Sequence, residues 1–311
     1  MRLDDRGLEM LRCPASGERL RHEGGGLVSE SGLHKFSVTN SGIPLFAQDF
    51  CSTEGRRQQR HYDRIAEKYV ANLEYPHTAE YSKSLDRALL NVAGAGPLGI
   101  VAEICCGRGE AFRLFVNRFT LGLGVDVSVS MLEAAAADLG RSPVILVQGD
   151  ATNLPLAAEQ FDHVVMLGGI HHVNDRERLF AEIHRILKPG GRFLWREPVS
   201  DFVLWRALRA VAYRLSPTLD HRTERPLLYG ETVPPLERAG FRLTAWRTCG
   251  LIGFCLLMNS DVLVLNRAFR FIPGIQPLAR LMGRLDETLL SLPLLSKAGV
   301  LVVGSAQKPG P

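Results

Sequence analysis

Two glycines and two acidic residues follow successive apolar runs in the middle of the chain. The run V-A-E-I-C-C-G-R-G-E at 101–110 is typical of a strand that ends in a glycine turn and opens into a helix. Gly107 and Gly109 let the backbone take a positive φ or approach a ligand closely. Asp126 ends the second apolar run, where a carboxylate can accept hydrogen bonds from ribose hydroxyls. Asp150 ends the third run, where a carboxylate can accept a hydrogen bond from the exocyclic amine of adenine. This pattern predicts a nucleotide-type site.

A single acid at the end of a strand is as often a helix N-cap as a ligand contact. Two acids at successive strand ends, beside a glycine turn, favour the ligand site. The turn lacks the third glycine of the dinucleotide fingerprint, which argues against NAD.

The elements that must position these residues follow from the alternation of apolar runs and helical segments. Alternation at this pitch predicts parallel βαβ units, with the turn and both acids at the carboxyl edge of one sheet. We expect strands near 98–105, 121–127, 143–148, 161–167 and 192–197, and helices near 109–118, 129–139 and 175–187.

The whole chain has an ordinary globular composition. It has 311 residues, of which 46% are hydrophobic and 23% charged. The formal net charge of +4 is too small to indicate nucleic-acid binding. Its six cysteines have no disulfide-like spacing, and we see neither a signal-peptide core nor an apolar stretch of about 18 residues. We therefore expect a cytoplasmic protein with free thiols.

Four motifs resemble the class I S-adenosylmethionine (SAM) methyltransferases. Residues 101–109 resemble the family's V-L-D-x-G-C-G-x-G, and G-D-A-T-N-L-P-L at 149–156 is similar to its third-strand motif. F-D-H-V-V-M-L-G-G-I-H-H-V at 161–173 resembles the fourth strand, and L-K-P-G-G-R-F at 187–193 the turn into the fifth. The H-H-V and L-K-P-G-G signatures resemble the branch that serves ubiquinone and menaquinone biosynthesis.

The resemblance implies an α/β fold. It is a Rossmann-like, doubly wound, seven-stranded, mostly parallel sheet, with a small N-terminal β-rich unit and a helical insertion before the last strand. We expect the β-rich unit at 1–50, a helical lid or linker at 51–97 and the SAM-binding domain at 98–311, with the apolar insertion at about 250–298.

The resemblance also implies site roles, with SAM as cofactor and S-adenosylhomocysteine as its product. Glu103 is placed near the SAM amino group, Gly107 and Gly109 under the methionine part, Asp126 at the ribose, and Asp150 with Ala151 around the adenine. The helix H-Y-D-R-I-A-E-K-Y is similar to the one that precedes the core in this branch. Further contacts to the cofactor are implied for Tyr62, Tyr69, Cys105, Val127, Met131 and Leu167. The family usually has glycine where this chain has Cys105.

The N-terminal unit resembles a zinc ribbon of the kind found in activators of tRNA and release-factor methyltransferases. Structural zinc needs four thiolate or imidazole ligands in paired spacing. Here Cys13 stands opposite Ser16, while Ser29 and Ser31 occupy the second pair. Because serine hydroxyls are poor zinc ligands, we expect no zinc, and a role in packing on the catalytic domain or on a partner.

Three residues at the predicted carboxyl edge are candidates for catalysis. His171 and His172 follow the fourth strand, and a histidine there could deprotonate a phenol or an enol. Glu197 ends the fifth strand. The alternative for each histidine is a structural role, with its ring bonded to backbone.

The apolar insertion bears on the acceptor. It could be a helical cap on the core, a lid over a lipid-like acceptor, or a membrane patch with arginines near phosphate head groups. The lead hypothesis is a methyltransferase for an apolar isoprenoid, quinone-like or lipid acceptor, with peripheral contact at the inner membrane face. RNA or protein methylation and a non-catalytic interaction protein remain alternatives. The oligomeric state is open.

Overall fold

The computed structural model describes residues 3–60, 63, 74–207, 225–258 and 264–310. Its main element is a seven-stranded sheet in the order β6-β5-β4-β7-β8-β10-β9. The first five strands in this order run parallel, and β10 is antiparallel to both β8 and β9. The strands are β4 (Gly99–Ile104), β5 (Phe119–Asp126), β6 (Val144–Gln148), β7 (Phe161–Leu167), β8 (Leu187–Pro198), β9 (Arg242–Cys249) and β10 (Leu301–Gln307). The predicted fold class is confirmed.

Helices flank this sheet and a smaller sheet precedes it. The small sheet is antiparallel and contains β1 (Leu20–Glu23), β2 (Gly26–Ser29) and β3 (Lys35–Phe36). The helices are α1 (Asp5–Glu9), α2 (Pro76–Ala93), α3 (Glu110–Leu114), α4 (Val129–Leu139), α5 (Arg176–Ile186), α6 (Tyr229–Arg238), α7 (Ile252–Leu257) and α8 (Ile275–Ser291). Residues 53–60 are also helical, and 3₁₀ turns cover Ile170–His172 and Val264–Phe271.

One helix end and one strand start differ from the sequence prediction. The helix expected near 109–118 ends at Leu114, because Asn117 takes a left-handed conformation with φ at 64°. The K-P-G-G stretch after α5 belongs to β8 itself. It forms a bulge there, since the register with β7 shifts between Phe161 and His163 and Gly190 has φ at 80°.

The N-terminal unit packs against the edge of the large sheet. Leu11 pairs with Leu156 and Leu45 with Gln148 at the end of β6. Phe36 and its neighbours share one hydrophobic cluster with β6, and a side chain on Gly7 would meet the Cδ1 atom of Ile145 at 2.4 Å. The unit therefore covers the backbone edge that β6 would otherwise expose.

A hydrogen-bond network lies where the zinc-ribbon resemblance would place metal ligands. The Ser31 hydroxyl donates to Glu18 at 2.7 Å, and the Ser29 and Ser31 oxygens are 3.2 Å apart. These bonds from Ser31 hold the pKa of Glu18 below its ordinary value. Among the described residues, no group of three or more histidine, cysteine or acidic side chains is placed to hold a metal ion.

The insertion between β9 and β10 is helical and packs on α2. Its attachment centres on Asp286 of α8, which is 2% exposed. The Asp286 carboxylate accepts hydrogen bonds from the Tyr81 hydroxyl at 2.6 Å and from the backbone N–H groups of Leu251 (2.8 Å), Gly253 (3.2 Å) and Phe254 (3.3 Å). The insertion is thus fixed to the side of the domain. Within the described ranges, no helix combines the length and apolar character that a bilayer span needs.

Candidate active site

A cavity of about 460 Å³ opens at the carboxyl edge of the parallel strands. Most of the sequence-predicted site residues line it, since the glycine turn after β4 and the ends of β5, β6 and β7 all meet at this edge. Those that line it are Glu103, Cys105, Gly107, Asp126, Val127, Met131, Asp150, Ala151, Leu167 and His172. No described residue of the insertion contributes to the lining, so the described part does not support the interpretation of the insertion as a lid over the cavity.

Asp126 holds the glycine turn in place. Its Oδ2 accepts from the N–H of Gly107 at 2.8 Å, and its Oδ1 from the N–H of Ser128 at 2.9 Å. Burial raises the pKa of Asp126 above its ordinary value. Each carboxylate oxygen has a second lone pair, so Asp126 can still accept hydrogen bonds from a diol. Gly107 has φ at 48°, and a Cβ there would lie 3.3 Å from the Cε of Met131.

Glu103 brings an incompletely bonded carboxyl group to the cavity. It is 1% exposed, and its Oε1 accepts from the N–H of Ala111 at 2.9 Å. Its Oε2 is buried without a hydrogen-bond partner. Burial raises the pKa of Glu103 to about 8. A buried carboxyl group with a free oxygen is suited to pair with a cationic ligand.

Cys105 is in the left-handed region, with φ at 53°, where glycine is the usual residue. Its side chain has room because residue 169 is glycine: a Cβ on Gly169 would lie 2.8 Å from the Cβ of Cys105. Burial raises the pKa of the Cys105 thiol well above its ordinary value, so it stays protonated. The departure from the family pattern therefore leaves the turn intact and adds a neutral thiol to the cavity wall.

Asp150 is largely occupied by the chain itself. Its carboxylate accepts from the N–H of Ser52 at 2.7 Å and from the N–H and hydroxyl of Thr152 at 2.8 and 2.7 Å. These bonds hold the pKa of Asp150 below its ordinary value, even though burial acts to raise it. A carboxylate offers about four acceptor positions, and the protein itself uses most of those of Asp150.

Ser52, Glu54, Gly55 and Gln58 line one part of the cavity, and sequence reasoning missed the contacts of Glu54 and of the nearby Asp63. Glu54 accepts a hydrogen bond from the N–H of Asn174 at 3.0 Å. Asp63 accepts from the hydroxyls of Ser128 and Ser130 at 2.5 and 2.8 Å. Nothing in the local sequence of this segment signals these partners, which lie 65 or more residues away in the chain.

The three catalytic candidates lie together but differ in what they contact. Glu197 is fully buried, and its Oε1 accepts from the N–H groups of Gly169 (2.7 Å) and Ile170 (2.9 Å). Its Oε2 lies 2.8 Å from Nδ1 of His171. His172 lines the cavity, whereas His171 and Glu197 do not. The glutamate and the first histidine therefore fix the 3₁₀ turn that presents His172.

Three further predicted residues are not among those that line the cavity in the described part of the chain. Gly109 has φ at 74° and precedes α3, but it packs against Leu139 and does not line the cavity. Tyr62 and Tyr69 lie outside the described residues.

Comparison with known proteins identifies the family. Residues 102–195 match the family model described as "Methyltransferase domain". A demethylmenaquinone methyltransferase of Symbiobacterium thermophilum is 31% identical over 46% of this chain and 60% of its own length. The ubiquinone/menaquinone biosynthesis C-methyltransferase UbiE of Syntrophotalea carbinolica is 42% identical over 68% of this chain and 94% of its own length. The chain belongs to the UbiE branch of the class I SAM-dependent methyltransferases.

Solved structures agree with the fold of this methyltransferase. The [4+2]-cyclase SpnF superposes with a TM-score of 0.58 at 18% identity, covering 83% of this chain and 97% of that one. A methyltransferase in complex with the Haloferax volcanii Trm112 activator gives a TM-score of 0.55 at 18% identity, covering 81% and 98%. At this identity the likeness concerns the fold alone.

The residues of the cavity fit SAM, the cofactor of this family. Glu103 supplies a buried, unpaired carboxyl oxygen for the cationic methionine part. Asp126 retains acceptor capacity for the ribose, and the turn at Gly107 leaves the backbone open to close approach.

Proposed function

We propose that this methyltransferase methylates a ring carbon of a reduced, quinone-type acceptor that carries an apolar tail. Relatives named for demethylmenaquinone, ubiquinone/menaquinone and 2-phytyl-1,4-naphtoquinone support the acceptor class. The chain spans 60% of the length of the Symbiobacterium relative and 94% of the Syntrophotalea one.

One observation carries the proposal: a single cavity joins the cofactor residues to a histidine beside an apolar wall. Its lining includes Asp126 and Asp150 together with His172 and the apolar side chains of Leu167 and Val173. An apolar wall suits a planar ring, and a histidine suits a ring hydroxyl.

SAM supplies an electrophilic methyl group on a sulfonium. His172 accepts the hydroxyl proton of the hydroquinone, which raises the electron density on the ring carbon that bonds to the methyl group. When bound, SAM would supply the methyl group to the ring carbon and become S-adenosylhomocysteine. The ring hydrogen would leave as a proton and the ring oxygen would regain its proton from His172, so the acceptor would exchange one hydrogen for one methyl group. Glu197 acts through His171 as a positioning residue, because it contacts the turn and not the cavity.

An acceptor with a long apolar tail resides in a lipid bilayer. We therefore propose, as part of the same function, that the protein works as a peripheral protein at the inner membrane face.

The test uses the purified protein with methyl-labelled SAM and reduced prenylated naphthoquinone or benzoquinone, with products identified by mass spectrometry. Methylation of a ring carbon is the expected result. Label found instead in RNA or protein would favour the second class of methyltransferase. A chain that binds no SAM at all would favour the non-catalytic alternative.

His172→Ala should lower kcat about a hundredfold or more, because a general base contributes on that scale. Its affinity for SAM should stay within about twofold of wild type. His22→Ala, at an exposed position of the N-terminal unit, is the matched control and should leave kcat unchanged. Equal rates for His172→Ala and wild type would remove His172 from the mechanism.

A further inference from the structure

Exposed apolar side chains are concentrated on the C-terminal insertion. Fourteen large hydrophobic residues of the described chain are exposed, and nine of them lie between residues 250 and 298. Monomeric proteins rarely leave so much apolar surface in one region without a function for it. This outer surface of α7, the 3₁₀ turn and α8 is called the insertion face below.

The insertion face is built from helical periodicity. Leu278, Leu281 and Leu285 of α8 recur at spacings of three and four and are 49%, 61% and 43% exposed. On α7, Ile252 and Leu256 are four residues apart and also exposed. The residues of α8 that pack on α2 and α7 lie on another side of the helix. The apolar surface of α8 is therefore broader than the part that these two helices bury.

Basic side chains border the insertion face. From residue 250 to 298 the sequence has five basic and three acidic residues. Of the acids, Asp286 is buried and Glu287 is paired with Arg87 at 3.0 Å. Arg270 lies over the ring of Phe271 at 4.6 Å, and that phenylalanine is 73% exposed. An aromatic ring beside a guanidinium suits the boundary between acyl chains and phosphate head groups.

Arg270 of the insertion face contacts a residue that is adjacent in the chain to one lining the cavity. Arg270 donates to the hydroxyl of Tyr75 at 3.3 Å and lies over its ring at 5.2 Å. Tyr75 directly follows Glu74, which lines the cavity. A surface that held Phe271 would therefore be close to Glu74 and to the cavity that this residue lines.

We propose that the insertion face docks on an anionic lipid bilayer, with its leucines among the acyl chains and Arg270 at the phosphates. The proposal rests on the proposed function for its purpose, since a bilayer supplies the apolar acceptor, but its evidence is the surface itself. A second copy of the chain fits less well, because a twofold contact through this face would bring like-charged arginines together.

The experiment is flotation of the full chain with vesicles of phosphatidylcholine alone or with 30% phosphatidylglycerol. We expect binding to the anionic vesicles that weakens as salt is raised. The combined variant Leu278→Glu, Leu281→Glu, Leu285→Glu should bind them about a hundredfold less tightly. Arg270→Gln should weaken binding about fivefold. Leu33→Glu and Val116→Glu, at exposed apolar positions outside the insertion, should bind as wild type does.

Three outcomes would overturn the docking proposal: no binding by wild type, equal binding by the combined variant, or a wild-type dimer that the combined variant dissociates on size-exclusion chromatography. Calorimetric binding of SAM and methylation of a detergent-solubilised quinol separate this proposal from the proposed function. Vesicle binding without methylation would keep the docking surface and remove the function. Methylation without vesicle binding would keep the methyl transfer to a quinol but remove both the docking surface and the proposed location at the membrane.

Discussion

Cys105 shows how a single residue can depart from a family motif without loss of the local structure. Its backbone has φ at 53°, where a Cβ costs about 1–2 kcal/mol. The space that its side chain needs comes from Gly169, on the turn after a different strand. The strain and its compensation thus lie in separate segments of the chain.

We expect Cys105→Gly to have a free energy of unfolding about 0.5–1 kcal/mol higher than Cys105→Ala, because only alanine retains the strained Cβ. Both variants lack the thiol, so the comparison isolates the backbone. The neighbouring pair Cys106→Gly and Cys106→Ala is the control and should show the opposite order, since Cys106 has no positive φ. Urea denaturation measures all four, and the same order at both positions would contradict the assignment of strain.

Glu103 should make SAM binding depend on pH. Its pKa of about 8 means that the carboxyl group is neutral at pH 6.5, whereas pairing with a cationic ligand favours the carboxylate. Binding should therefore release a proton, and affinity should rise between pH 6 and 7.5, by at most tenfold per pH unit. Isothermal titration calorimetry in two buffers of different ionisation enthalpy measures the number of protons released on binding. In Glu103→Gln the release and the pH dependence should both disappear, and their persistence would assign the proton to another group.

Single residues were predictable where a motif places them at the end of a strand. Glu103, Asp126, Asp150 and His172 all reach the cavity as the sequence indicates. The different contacts of His171 and His172 were not predictable, because their rings lie side by side, with centroids 3.8 Å apart, and only the hydrogen bond to Glu197 distinguishes His171 from the cavity-lining His172.

At the scale of elements, the insertion depends on one buried carboxylate. Asp286 accepts four hydrogen bonds that tie α8 to α2 and to the start of α7. Burial, with the Asp286 carboxylate nearby, raises the pKa of Tyr81 far above its ordinary value, so Tyr81 remains a donor at any pH at which the protein folds.

Asp286→Ala should lower the free energy of unfolding by about 3 kcal/mol or more, because it leaves buried donors without an acceptor. Glu287→Gln, the adjacent residue in a half-exposed ion pair with Arg87, should change it by less than about 0.5 kcal/mol. Chemical denaturation measures both. Similar values for the two variants would show that the insertion does not depend on the buried network.

The parallel strands were predictable as elements because each is a nearly continuous apolar run bounded by turn residues. The helical insertion was predictable from the length and apolar character of the segment before the last strand, but the surface on which it packs was not. The sequence shows that α8 is amphipathic, whereas its packing on α2 depends on Tyr81 and Asp286, which are 205 residues apart.

At the scale of the whole molecule, the N-terminal unit and the methyltransferase domain share one core. Leu11 is fully buried and pairs with Leu156, and the N–H of Ala157 donates to the carbonyl of Met10 at 2.8 Å. The sequence predicted a small β-rich unit. Its place at the edge of β6 could not be derived, because no local pattern marks the strand on which it packs.

Leu11→Ala should lower the stability of the methyltransferase domain by about 2–5 kcal/mol, the usual cost of a fully buried leucine. All three tryptophans of the chain, at 195, 205 and 246, lie outside the N-terminal unit, so their fluorescence reports the domain alone. We expect their unfolding transition to move to lower urea together with the circular dichroism. Leu33→Ala, at a position that is 78% exposed, should shift neither the fluorescence transition nor the circular dichroism transition. If Leu11→Ala left the tryptophan fluorescence transition at the wild-type urea concentration, the N-terminal unit would fold separately from the domain.

The docking of the N-terminal unit also sets an order of events during synthesis. Leu156, the partner of Leu11, is made 145 residues later (156 − 11). At about 5–20 residues per second this corresponds to a delay of roughly 7–30 seconds. Throughout that interval the apolar side of the unit is without its partner, and the edge of β6 is covered only once the third strand of the domain has left the ribosome. The N-terminal unit is therefore translated well before the strand on which it packs.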